Sequence, residues 1–217
     1  MKMKLIAAAI ALAASASAQA LTIDLFGDSD SVSAIGAGAS VTGSAIALTA
    51  ANTDLTNATR TNTANAGPAT GSKEDVDVVA NVLAISNNTF SNGTAKVVYN
   101  FDSEDFAAAG SAILLKVLAI DLGVMVNITA NGVSSSGFQA FTGPDTFFKL
   151  YSTFSDPTQF THVTQLELDF KGETAWDGQF QLLASNNPPS VPEPASMLLV
   201  GLGLLGIGAI RRRTKNS

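Results

Sequence analysis

The sequence holds 217 residues with a formal net charge of −6, a single histidine and no cysteine, which excludes disulfides, thiolate nucleophiles and Cys-based zinc sites. Charged residues make up only 14% and are unevenly placed. Of the 12 Lys and Arg, two precede residue 20 and four follow residue 210, so residues 21–190 keep six against 17 of the 18 acids, a net −11. A segment that acidic cannot displace counterions from nucleic acid, and it disfavours an anionic lipid surface.

The chain opens MKMKLIAAAIALAASASAQA. Lys2 and Lys4 are followed by an apolar stretch from Leu5 to Ala14 and then by small residues ending Ala18, Gln19, Ala20. Basic, apolar and A-x-A segments in that order make a secretory signal peptide over residues 1–20, read by Sec-type export machinery and cut after Ala20. An amphipathic helix fits worse, because the apolar stretch has no polar face.

Residues 21–185 carry strand-like runs separated by Gly, Asn, Asp and Ser. In THVTQLELDF, Leu166, Leu168 and Phe170 share one parity while Gln165, Glu167 and Asp169 share the other, the alternation of a half-buried strand. TAKVVYNF alternates likewise, with Ala95, Val97, Tyr99 and Phe101 opposed to Lys96 and Asn100. SAILLKVLAIDLGVMVNI is long enough to resemble a membrane span. Lys116 and Asp121 near its middle would each cost about 2.5–3.5 kcal/mol to insert, so two strands broken near Asp121–Gly123 are expected instead. Further strands are expected at 21–26, 40–48, 76–85, 147–154 and 176–184, with turns at Asn92–Gly93, Asn131–Gly132 and Asp177–Gly178. Residues 52–71, NTDLTNATRTNTANAGPATG, are low in complexity and read as a mobile loop. Many short strands and no amphipathic helix predict an all-β fold, an antiparallel β-sandwich of jelly-roll-like form.

Few constellations in this region carry chemistry. His162 lies on the parity of Phe160, Leu166 and Leu168 near a strand start, a structural or rim position, and no G-x-S-x-G elbow accompanies it. Asp24, Asp28 and Asp30, then Glu74, Asp75 and Asp77, then Asp102, Glu104 and Asp105 form acidic clusters. Structural calcium favours loop oxygens of this kind, but Asp28-Ser29-Asp30 continues with Ser31 and Val32 instead of an EF-hand pattern, and solvated loop charge is the simpler account. No cofactor is expected. A glycosidase would need two carboxylates facing one cleft, which sequence does not place. Trp176, the single tryptophan, is a candidate carbohydrate contact, although a lone Trp at a strand start more often packs into a core. Thr59, Thr61 and Thr63 have the spacing of a flat ice-binding strand face, but Arg60 and the low-complexity surroundings assign them to the loop.

Residues 186–190 form a linker, and the tail reads VPEPASMLLVGLGLLGIGAIRRRTKNS. The sixteen residues from Ala195 to Ile210 are uncharged and would span about 24 Å as a helix. With snorkelling arginines that suffices for a thin or locally thinned bilayer. Arg211, Arg212 and Arg213 mark the cytoplasmic side, leaving residues 21–190 outside, in agreement with the signal peptide. Pro192 and Pro194 hold the chain before the span out of helical geometry and expose it.

The order Pro192, Glu193, Pro194, a short Gly/Leu-rich span, an arginine cluster and little beyond resembles the PEP-CTERM sorting signal of Gram-negative bacteria over residues 191–217. The resemblance implies recognition by an exosortase, a membrane-embedded transpeptidase-like enzyme that cleaves the tail and passes an inner-membrane precursor to the cell surface or an exopolysaccharide matrix. The tail family is also catalogued under an ice-binding C-terminal heading, which names the tail and assigns no activity. A plain single-pass anchor would explain the span and the arginines but not the two prolines. DLGVMVNITANGVSSSG and AWDGQFQLLASN also resemble exported β-sandwich domains that precede such tails. These features imply a non-enzymatic surface or matrix protein, with a carbohydrate-binding module as the alternative and a secreted hydrolase below it.

Overall fold

The computed structural model describes residues 20–188. The body of the signal peptide with Ala18, and the tail from residue 189, lie outside the described residues. Within them the chain forms β1 (Leu21–Asp24), β2 (Asp30–Ile35), β3 (Ser40–Thr42), β4 (Ile46–Ala47), β5 (Thr59–Asn65), β6 (Lys73–Val79), β7 (Val82–Asn87) and β8 (Thr94–Glu104). One helical turn, α1 (Phe106–Ala109), leads to β9 (Ala112–Asp121), β10 (Val124–Ala130), β11 (Ser134–Ser135), β12 (Gln139–Phe141) and β13 (Asp145–Leu150). Two short 3-10 turns, Tyr151–Thr153 and Pro157–Thr161, precede β14 (Val163–Gly172) and β15 (Asp177–Asn186).

The strands make two sheets. A seven-stranded sheet runs β13-β9-β15-β7-β6-β2 with β1 also on β15, and an eight-stranded sheet runs β11-β10-β14-β8-β5-β3 with β12 on β10 and β4 on β5. All pairings are antiparallel. From β7 onward the chain changes sheet at almost every step, the path of a jelly-roll-like sandwich, as the sequence predicts.

Alternation explains the core. Leu166, Leu168 and Phe170 of β14 are fully buried while Gln165, Glu167 and Asp169 face outward. On β8, Ala95, Val97, Tyr99 and Phe101 point in. Phe170 meets Phe180 of β15 across the sandwich, ring centres 4.9 Å apart, and each such buried side chain contributes about 1.5–3 kcal/mol. The long apolar run divides at Leu122 and Gly123, both at positive φ, into β9 and β10; Lys116 and Asp121 are exposed to solvent.

Four sequence expectations are corrected. Residues 59–65 are a paired strand, not part of a mobile loop: β5 lies between β8 and the short pair β3 and β4. Its inward positions are Arg60, Asn62 and Ala64, so the alternation is present but mostly between two kinds of polar residue, and hydrophobicity does not reveal it. The run expected at 76–85 is two strands, joined by Ala80 and Asn81 at φ of +51 and +63. The run at 40–48 is broken into β3 and β4. Asp177 and Gly178 sit within β15, where Gly178 pairs with both Ile85 and Ile120. The Asn131–Gly132 turn is found, both residues at positive φ and closed by Val133 N–H donating to Ala130 O at 3.1 Å.

The polar inward face of β5 is accommodated by a buried ion pair. Arg60 Nη1 donates to Asp24 Oδ2 at 2.6 Å with both side chains inaccessible to solvent, and its Nη2 donates to the Asp28 carbonyl. Asp24 also accepts from the Phe26 N–H at 2.6 Å and the Tyr99 hydroxyl at 3.1 Å. Burial pushes the Asp24 carboxyl up while Arg60 and these donors pull it down, and the same burial raises the Tyr99 phenol. Breaking such a pair leaves an uncompensated buried charge, at a cost of about 3–5 kcal/mol. Arg60→Met is therefore expected to lower unfolding free energy by about that amount, measured by urea titration. Adding Asp24→Asn should recover part of the loss; no recovery would show that the ion pair is not the cause.

Candidate functional site

Trp176 is fully buried, which corrects the expectation of a carbohydrate contact. Its indole N–H donates to the Gly93 carbonyl at 2.9 Å, and its own carbonyl accepts from Asn87 Nδ2 at 3.1 Å. No face of the ring is left for a ligand. His162 is exposed, and its Nδ1 lies 3.0 Å from the neighbouring Thr161 hydroxyl, a rim position. The acidic clusters are dispersed by the fold. The pleat of β6 turns Glu74 inward and Asp75 and Asp77 outward. Asp24 is engaged by Arg60, Asp102 accepts from Asn57 Nδ2, and Asp105 caps α1. Among the described residues no three or more His, Asp or Glu converge as a metal-binding group.

Glu74 is the central residue of a buried polar knot. Its Oε2 accepts from the Asn65 N–H at 3.2 Å, and Oε1 has no partner among the described residues. Beside it, the Gly93 N–H donates to Asn87 Oδ1 at 3.0 Å and to Ser91 Oγ at 3.1 Å. A Cβ on Gly93 would lie 2.3 Å from Glu74 Oε2 and 2.5 Å from the Asn65 carbonyl oxygen, so glycine is required here by close approach, not by the turn that Asn92–Gly93 leads one to expect. Burial pushes the Glu74 carboxyl up to about 8, against the opposing hydrogen bonds from Asn65 and Asn87, with Asp75 adding to the rise. At neutral pH the group is mostly the neutral acid.

The outer face of the eight-stranded sheet is a polar comb. Strand register places Thr42, Thr63, Lys96, Asp169 and Asn127 in one row across five strands. The adjacent row runs Ser40, Asn65, Thr94, Lys171, Met125 and Ala140. Thr59, Thr61 and Thr63 do share one strand face, but the neighbouring strand presents Lys96, Val98 and Asn100 beside them. The ladder of three threonines is thus one strand wide and lacks the repetition of an ice-binding plane. Lys96 Nζ lies 2.7 Å from Glu167 and 3.4 Å from Asp169. The hydrogen bond to Glu167 is the main reason the ammonium is held above the ordinary lysine range.

Over this comb stands Phe138, exposed at 43%. Its loop is pinned to β10 by two hydrogen bonds, Ser136 N–H to the Ile128 carbonyl at 2.8 Å and Ile128 N–H to Ser136 Oγ at 2.9 Å, and Gly137 at φ +66 turns the chain. Lys171 Nζ sits 3.7 Å from the ring centre on one face. Phe138, Lys171, Asp169, Lys96, Thr94 and Asn65 line an open trough of about 160 Å³. Beyond Lys171 it adjoins a groove of about 380 Å³ that includes Leu122, Met125, Ala140 and Glu173. Nothing in the sequence distinguishes Phe138 from the other phenylalanines; its exposure is set by the Ser136 anchor.

Residues 190–213 match the family described as the PEP-CTERM protein-sorting motif. The chain carries a PEP-CTERM sorting motif. The match includes Pro192, Glu193, Pro194 and Arg211 to Arg213, all outside the described residues, as is the expected span 195–210. Among the described residues no helix is long and apolar enough to cross a membrane. The PEP-CTERM motif marks an exported protein whose precursor is held at the membrane through its C-terminal segment, and it implies exosortase recognition. No curated protein matches the chain. Among solved structures, similarity is found to a family 11 carbohydrate-binding module from Clostridium thermocellum in complex with a β-1,3-1,4-mixed-linked tetrasaccharide, at 14% identity over 79% of this chain and 98% of that one, TM-score 0.37. The solution structure of CtCBM11 is similar at 12% identity over 80% and 98%, TM-score 0.39. Likeness this distant transfers no ligand, and the sandwich rests on its own strand pairing.

For the sandwich of this PEP-CTERM protein, Glu74 sets a pH dependence. Its folded pKa lies above the unfolded value near 4.5, so the native state binds the extra proton. The contribution to stability is fully present below about 4.5 and is lost as pH rises through about 8. The loss is roughly 3–5 kcal/mol at about 1.4 kcal/mol per pKa unit. Glu74→Gln, which cannot ionise, is expected to remove this slope: the difference in unfolding free energy between wild type and variant should move in favour of the variant between pH 5 and pH 9. A difference that stays constant with pH would refute the assignment.

Proposed function

We propose that this chain is an exported, non-enzymatic protein, cut at its PEP-CTERM signal by an exosortase and retained at the cell surface or in the exopolysaccharide matrix. The observation that carries the reading is the sorting motif at residues 190–213. In this reading the N-terminal segment directs Sec-type export, with cleavage after Ala20. Pro192 and Pro194 keep the peptide before the span extended, so that its backbone is open to an enzyme working at the membrane surface. The uncharged span holds the precursor in the inner membrane, and Arg211 to Arg213 keep its end on the cytoplasmic side.

A binding role is favoured over catalysis by the way the sandwich uses its reactive groups. Among the described residues the ring of the lone histidine hydrogen-bonds only Thr161, Asp24, Asp105 and Glu167 serve a buried ion pair, a helix cap and a solvated sheet face, and Glu74 is enclosed in the core. The hydrolase alternative needs two carboxylates converging on one cleft, and the pleat of β6 separates the one acid triplet that lies within a strand. Polysaccharide association remains the functional reading for the sandwich, with its contact moved away from Trp176.

The test is the mature C-terminus and cell fraction of the protein in strains with and without the exosortase. The expected result is a shortened, surface-associated chain in the first and an intact inner-membrane precursor in the second, with Pro192→Ala/Pro194→Ala reproducing the precursor in the first. An intact tail in both strains would make the segment a plain anchor.

A further inference from the structure

We infer that the trough between Phe138 and strands β5, β8 and β14 is a binding site for an uncharged polysaccharide chain. The inference rests on the extracellular placement proposed above; it adds the site and the ligand class.

The argument begins with the ring. A pinned loop holds Phe138 out over a polar sheet, with Lys171 over the ring and 43% of the residue still exposed. The loop that carries the ring is held before any ligand arrives, so binding need not order its backbone. An exposed aromatic face on an anchored loop is suited to the C–H face of a sugar ring. The groups next to it suit the hydroxyl edges of the same sugar: the Thr94 hydroxyl accepts from Asn65 Nδ2 and keeps its own proton to donate, and the Asn65 and Asp169 oxygens keep lone pairs beside the bonds they accept from Ser40 and Asn127. Mixed aromatic and polar lining of this kind orients a ligand with both apolar and hydroxylated faces.

Charge then selects the class of glycan. Lys96 is paired with Glu167 and Asp169, and Lys171, which makes no ion pair among the described residues, rests over the Phe138 ring. The surrounding segment carries a net −11. A uronate or phosphate polymer would meet repulsion from the domain, and Lys171 alone is not a cationic cluster that would offset it. A peptide is also disfavoured. The strands beneath the trough have both edges paired within the sheet, so the face offers side chains and no backbone ladder for strand addition. The trough and the neighbouring groove share Lys171 as a wall, and the two lying side by side suit a chain that runs on beyond one residue.

The experiment is affinity electrophoresis of the full chain, purified in mild detergent, through native gels containing hydroxyethyl cellulose, dextran, galactomannan or alginate. At least one of the three uncharged polymers is expected to retard the protein, and alginate is not. Phe138→Ala should weaken that retardation at least about tenfold, the range of a central aromatic contact, and Thr94→Val should weaken it by a smaller factor. Ile35→Ala, an exposed residue on the other sheet, should leave it unchanged. Circular dichroism of each variant establishes that it is folded. Retardation by alginate alone, by none of the uncharged polymers, or equally by wild type and Phe138→Ala would overturn the assignment. Binding is read on purified protein and processing in cells, so either proposal can fail without the other.

Discussion

Arg60 and Asp24 join the two sheets through the interior. Asp24 ends β1, which is paired to the seven-stranded sheet through β15, while Arg60 lies on β5 of the eight-stranded sheet and Tyr99, which also bonds Asp24, lies on β8. A chain without cysteine has no covalent means of making that link. A buried pair is not by itself a large source of stability, since desolvation offsets most of the attraction. In the observed register β5 buries Arg60 where Asp24 and the Asp28 carbonyl meet it, and a slipped strand would lose both partners. The pair thus favours the observed register of β5 on β8, and the register decides which residues stand on the outer face. The polar comb outside therefore depends on a charge pair inside.

This explains which parts of the fold were legible in the sequence. β8 and β14 alternate between apolar and charged residues, and the structure places them as read. β5 alternates just as regularly, but Arg60 and Asn62 occupy inward positions, and a reading based on hydrophobicity takes the segment for a loop. Partners brought together by the fold from more than thirty positions away make those residues tolerable in a core, and no local window contains them. Gly93 shows the same limitation: its dipeptide has the composition of a turn, while its function is to let Glu74 and the Asn65 carbonyl approach.

The sites divide along a similar line. The sorting motif was readable because its elements lie consecutively along the chain: prolines, an uncharged span and arginines act in the order in which they are written. The sheet face was not, because each of its rows is assembled from one residue per strand. Trp176 drew attention as the only tryptophan, yet an indole with a satisfied N–H behind a glycine carbonyl is core. Phe138 is one of 12 phenylalanines, and what sets it apart is its place beside Lys171 and the polar rows of the sheet.

The position of β15 carries a consequence for how the domain acquires its structure. This last strand lies in the interior of its sheet, between β9 and β7, and it also receives β1, the first. As the chain emerges N-terminus first, β6 and β7 can form their hairpin early, but β9 and β7 have no surface in common until Asn186 has cleared. Contacts of such long sequence separation close slowly. The sandwich is thus built to complete itself only when nearly all of it has appeared, with the first strand waiting for the last, and an export apparatus that handles unfolded chain would meet little premature structure in this half of the fold.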